Sequence, residues 1–151
     1  MIIESLKELL MNKSLYWKKN KLISIFIKLK SKYKYKVQKV SGIPANACII
    51  KYDEEYLIFV NEKIPSSIIP LVLLQEIGHI KFKTLNENPQ NYSYFKETTA
   101  NVYAIWNLLW LFEFKQKIKV LYLTIVSEKR LYEYFNEINV VKGDFLYEKL
   151  T

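Results

Sequence analysis

Histidine, cysteine and arginine each occur once in this chain, as His79, Cys48 and Arg130. Each scarcity excludes something. A lone cysteine cannot close an internal disulfide, so the chain fits a reducing compartment, and Cys48 is expected to be a small buried side chain. A lone histidine excludes any zinc centre that takes two imidazoles from one chain. One arginine against 22 lysines argues against sites that read phosphate or guanine through a bidentate fork. Only 3 glycines and 4 prolines occur while half of the residues are apolar, which excludes both disorder and a loop-rich disulfide scaffold. The apolar stretches Ile68–Leu74 and Val102–Phe114 are too short or too interrupted to span a bilayer, so no membrane partner is expected. Met1–Glu8 has no basic region ahead of an apolar run, so no signal peptide is expected and the cytoplasm is the expected location.

What is present is length for one cored domain, 151 residues, and a net charge of +8 that is unevenly spread. Ten lysines and no acidic residue fall between Lys13 and Lys39, leaving the remainder near −2. Lys18, Lys19, Lys21, Lys28, Lys30, Lys32, Lys34, Lys36 and Lys39 form the bulk of this basic patch. Such a block suits a phosphate backbone or an acidic protein surface. With lysine in place of arginine, a solvated lysine-coated face is the favoured reading, and the interleaved Tyr33 and Tyr35 do not by themselves make a base-stacking platform.

Apolar spacing predicts a first amphipathic helix over Ile2–Trp17 and helical character at Leu22, Ile25, Phe26 and Leu29, before Tyr33–Val37 alternates like a strand. Ala47–Tyr52 and Tyr56–Asn61, separated by Asp53-Glu54-Glu55, predict a hairpin. Pro65-Ser66-Ser67 offers an N-cap to a helix running from Ile68 to about Phe82, with Pro70 tolerated in its first turn. Gly78 in that helix costs about 1 kcal/mol against alanine, which implies close packing on its face. A polar loop over Thr84–Ser93 leads to a second long helix, Tyr94 to Phe114, whose Trp106, Leu109, Trp110 and Phe112 stripe is expected in the core or a helix interface. The tail from Lys115 is expected to hold two or three short helices, with Ser127 as a cap, Gly143-Asp144 as a break and Val120–Val126 a strand alternative. The expected fold is α+β: a small antiparallel sheet from Val37–Asn61 packed on a helical bundle, in a single domain over 1–151 with a motif-bearing core at 41–109.

The chemistry centres on Leu73-Leu74-Gln75-Glu76-Ile77-Gly78-His79-Ile80 and on Glu97-Thr98-Thr99-Ala100-Asn101. In the motif H-E-x-x-H two histidines one helical turn apart bind zinc, and the glutamate activates the metal-bound water. Here His79 holds the second histidine position and Glu76 the glutamate, but Gln75 holds the first. If the two helices pack antiparallel, Glu97 reaches the space above His79, and Asn101, one turn later, shares its face. This order of hairpin, helix, polar loop and E-x-x-A-N helix resembles the ImmA/IrrE family of zinc metallopeptidases over about Ser41 to Leu109. The resemblance implies a zincin-like core of the gluzincin type, with His79 and Glu97 as metal ligands and Glu76 as catalytic base. It also implies a place beside repressor genes on prophages and mobile elements, and cleavage of helix-turn-helix regulators.

Gln75 departs from that pattern. A neutral amide is a poor zinc ligand beside an imidazole, so zinc is expected to bind weakly or not at all. The oxyanion stabiliser that such peptidases use has only Tyr92, Tyr94, Tyr103 or Arg130 to draw on. Three functions stay open: a peptidase-fold protein that binds a transcriptional regulator or host protein without cleaving it, an active zinc peptidase, and a basic module for nucleic acid or an acidic protein. The partner and the oligomeric state are not readable from the residues.

Overall fold

The computed structural model describes residues 19–83 and 94–138. The expected Ile2–Trp17 helix, the Thr84–Ser93 loop and the Gly143-Asp144 break lie outside them, as does Lys18. Within the described residues the chain is α+β: five helices and a three-stranded sheet.

A helix over 19–33 (α1) buries Leu22, Phe26 and Leu29, the apolar positions spaced for one helical face, and leaves Lys28, Lys30 and Lys32 in solvent. The strands β1 (Tyr35–Val40), β2 (Ala47–Tyr52) and β3 (Glu55–Asn61) lie in the order β1-β3-β2. The sheet is mixed rather than antiparallel, because β3 pairs with β1 in parallel and with β2 as a hairpin. Composition explains the order. Tyr56-Leu57-Ile58-Phe59-Val60 is the longest apolar run of the three strands, which suits burial in the centre, whereas Lys36, Lys39 and Lys51 suit exposed edges. β3 is thus interior, and among the described residues β1 and β2 are the edges of the sheet.

Helix α2 (Ile69–Lys81) is buried along nearly its whole length, which is why its sequence is apolar all round. Neither Ser66 nor Ser67 caps it; the Ser67 hydroxyl instead donates to Asn136 Oδ1, 2.6 Å away, and ties the start of α2 to the last helix. Helix α3 (Tyr94–Leu108) packs along α2, in more extensive contact than α4 makes with α3 or with α5. Gly78 makes that approach possible: a Cβ there would meet Tyr103 Cδ1 at 3.0 Å and the Ala100 Cα at 3.2 Å. Gly78→Val should therefore destabilise the fold by about 1–3 kcal/mol in urea unfolding, since the backbone of α3 cannot yield as a side-chain end can. Wild-type stability in that variant would show that α2 and α3 are not this close.

The second helix does not reach Phe114. It ends at Leu108, a 3-10 turn over Leu109–Leu111 follows, and α4 (Phe114–Val126) starts afresh, with the Glu113 N–H donating to Gln116 Oε1 at 3.1 Å. Val120–Val126 is helical, not a strand. Trp106 and Trp110 are not in the core: they are 67% and 62% exposed, while Ala104, Ile105 and Leu108 supply the buried stripe. The ammonium groups of Lys21 and Lys117 lie 5.6 and 5.5 Å from the Trp110 ring. Ser127 does cap α5 (Glu128–Ile138), accepting from Arg130 N–H, and Leu131 and Phe135 anchor that helix in the core, with Phe135 edge-on to Phe112. Cys48 is exposed on β2, contrary to the buried position expected for it, because an edge strand covers only one of its sides. Among the described residues no helix is long and apolar enough to cross a membrane.

Candidate functional site

A cleft of about 1020 Å³ opens between α2, the edge strand β2 and α5. Its volume is at the upper end of the range for ligand pockets. Gln75, Glu76 and His79 of α2 line it together with Glu97 from α3, Ala47–Ile49 from β2, and Glu128 and Tyr132 from α5. The loop 43–46 forms part of the wall and is held by Asn61, whose Nδ2 donates to the carbonyls of Ile43 and Ala45 at 3.3 and 3.2 Å.

The two motif-bearing helices meet as an antiparallel pair, with His79 opposite Glu97 and Gln75 opposite Asn101. His79 Nε2 lies 3.5 Å from Glu97 Oε1. Burial lowers the imidazole pKa, but the bond to Glu97 and the charges of Glu76, Glu97 and Glu128 outweigh it, leaving His79 above its ordinary value. Glu76 sits in the cleft floor. Burial pushes its carboxyl up to about 7; His79 opposes that rise, while Glu97 and Glu128 add to it. A carboxyl and an imidazole with shifted pKa values, sharing a cleft, form the kind of arrangement found where proton transfer or charged ligands are handled. The Cys48 thiol is pushed up by burial and then by Glu76, which is the opposite of what activates a nucleophile.

Gln75 is differently engaged. It is buried, and its Nε2 lies 2.7 Å from Asn101 Oδ1 while its Oε1 lies 2.5 Å from the Tyr132 hydroxyl. The same hydroxyl lies 2.7 Å from Glu128 Oε1. A phenol has one proton and cannot donate to both oxygens. Both side-chain amides can be turned end for end, so that Asn101 N–H donates to Gln75 Oε1, Gln75 N–H donates to Tyr132, and Tyr132 O–H donates to the Glu128 carboxylate. That orientation satisfies every group in the chain. In either orientation both ends of the Gln75 amide are occupied.

This donor set does not fit a three-ligand zinc centre. One imidazole and one carboxylate lean on each other, and the amide in the third position is already hydrogen-bonded at both ends. Among the described residues no three His, Cys, Asp or Glu side chains are grouped so as to hold a metal ion.

Of the residues singled out by sequence, Gln75, Glu76, His79 and Glu97 line the cleft, and Asn101 is bonded to Gln75. The aromatic hydroxyl in the cleft is Tyr132, not Tyr94 or Tyr103: the Tyr94 hydroxyl donates to Ile125 O, and Tyr103 packs edge-on to Phe82 beside Gly78. Arg130 is exposed and does not line the cleft, and Tyr92 lies outside the described residues. Tyr132 and Glu128 carry no motif; only their i, i+4 spacing on the helix that starts at Ser127 marks them as neighbours. Lys19, Lys21, Lys28, Lys30 and Lys32 lie on α1, Lys34 joins it to β1, and Lys36 and Lys39 lie on β1; none of them lines the cleft. Lys36 pairs with Glu55 at 3.3 Å, with both side chains largely in solvent.

No family model matches this chain, no curated protein matches it, and no solved structure matches it.

Proposed function

We propose that this chain is a zincin-like relative of the ImmA/IrrE metallopeptidases that binds an extended protein segment without hydrolysing it. The observation carrying this reading is the engagement of both ends of Gln75, at the position where the resemblance requires a zinc ligand. The pairings of His79 with Glu97 and Gln75 with Asn101 support the kinship, since they match the packing that such a site needs. The cleft still offers a peptide-binding surface. Among the described residues β2 pairs only with β3, and its other side borders the cleft, so a partner segment can add there as a further strand. A transcriptional regulator or host protein, on a phage or mobile element, is the partner that the kinship suggests. The lysines of α1 and β1 lie away from the cleft and enter this reading only as a solvated face.

The competing reading, zinc-dependent cleavage of a helix-turn-helix repressor, draws on Glu76, which keeps the position and the raised pKa of a general base. One experiment separates the two. After incubation with equimolar zinc and dialysis, the wild-type protein should retain well under one equivalent, and its hydrolysis of labelled casein should equal that of Glu76→Gln. Stoichiometric zinc together with cleavage abolished by Glu76→Gln would overturn the binding reading.

A further inference from the structure

The cleft is opposite in sign to the rest of the chain. The protein carries +8, yet Glu76, Glu97, Glu128 and Glu133 line the cleft against Lys63, Lys129 and the His79 imidazole. The lysine-rich block lies on α1 and β1, and β1 is the sheet edge opposite to β2. Negative charge is thus concentrated in this concavity, where low-dielectric walls strengthen its effect.

Its carboxylates are not equally served. Glu128 receives the Tyr132 hydroxyl and Glu97 leans on His79. Glu76, half-buried in the floor between them, has the His79 imidazole as its opposing charge but accepts no hydrogen bond from a described residue. A half-buried carboxylate that faces an open cleft without a hydrogen-bond donor is better satisfied when an occupant brings one. The occupant also has to use the edge of β2, which pairs with no further strand among the described residues and borders the same space, and fill about 1020 Å³. A free cation or a polyamine uses neither the edge nor that volume. An extended peptide with a basic side chain uses both.

We propose that the cleft selects an extended protein segment carrying a lysine or arginine, added along β2 with its cationic end received between Glu76 and Glu128. This rests on the reading of the cleft as a peptide groove and adds the charge of what it accepts. The expected discrimination is large because a like charge placed against these carboxylates is strongly disfavoured.

The test uses the full chain and three fluorescein-labelled, end-blocked decapeptides of alternating valine and threonine. They differ only at one central position: lysine, acetyl-lysine or glutamate. Fluorescence anisotropy should show the lysine peptide binding at least about 10-fold tighter than the acetyl-lysine peptide, with the glutamate peptide weakest. Glu76→Gln and Glu128→Gln, each shown to be folded by circular dichroism, should bring the first ratio below about 3-fold. Bulk attraction cannot mimic this result, because a protein of +8 attracts the anionic peptide. Equal binding of all three peptides would overturn the charge preference and leave the groove standing. Lysine preference undiminished in both variants would overturn the assigned carboxylates. Binding of none would remove the peptide groove itself, and this inference with it.

Discussion

Gln75→His is expected to raise zinc affinity by more than about 100-fold, since the loss of a supporting group alone costs 10–100-fold at zinc sites and this change restores a direct ligand. The new imidazole would stand one turn before His79 on the same face of α2, with Glu97 opposite, which gives the two-histidine, one-carboxylate set. Asn101 is already placed to accept the second ring N–H and hold the ring, as supporting groups do in zinc sites. Metal content measured by mass spectrometry after dialysis should rise to about one zinc per chain. Gln75→Ala should gain none and should lose about 1–3 kcal/mol of stability, because Asn101 is left without its buried partner. A histidine variant that retains no more zinc than wild type would show that the helices do not hold a vestigial metal geometry.

The second large effect concerns Glu76. Its carboxyl is held near 7 in the folded protein, chiefly by burial, against an ordinary value of 4.5. The folded state therefore keeps this proton after the unfolded chain has lost it. A carboxyl raised in this way favours the fold fully below its unfolded value, and that advantage drains away as pH climbs through the folded one. The raised pKa of His79 acts in the same sense, above the ordinary imidazole range. Urea unfolding should thus find the wild-type protein more stable at pH 5 than at pH 8. Glu76→Gln cannot ionise, so it should be stabilised relative to wild type at pH 8 by up to roughly 3 kcal/mol and by little at pH 5. Equal wild-type stability at the two pH values, with no gain from the glutamine, would mean that Glu76 is solvated.

That a residue matching a catalytic base should weaken its own fold at neutral pH is the usual mark of a site shaped for something other than stability. Gln75 shows the opposite trend. Its amide meets two partners from two other helices, so the position that departs from the motif is engaged at both ends.

The residues that sequence placed well are those whose neighbours are local. The i, i+4 pair Gln75 and His79, the hairpin from Ala47 to Asn61, the α1 stripe of Leu22, Phe26 and Leu29, and the Ser127 cap all depend on periods and dihedral preferences along one element. Gly78 announced its close contact for the same reason, since glycine inside a helix needs a cause. What went astray depended on competition between elements. Trp106 and Trp110 have the right period for a core stripe, but Ala104, Ile105 and Leu108 occupy the face that meets α2. The helix expected to reach Phe114 breaks after Leu108 because Phe112 turns into the core against Phe135. β3 rather than β2 lies beside β1 because the most apolar strand takes the centre, whatever its order in the chain, and the two run parallel. By itself the sequence determined which helix faces carry Gln75, Glu76, His79 and Glu97, since helical geometry repeats every 3.6 residues. Only the tertiary structure decided that Tyr132 and Glu128 close the cleft and that β2 is its free edge, because contacts between residues far apart in the chain follow from how elements bury one another and leave no period to read.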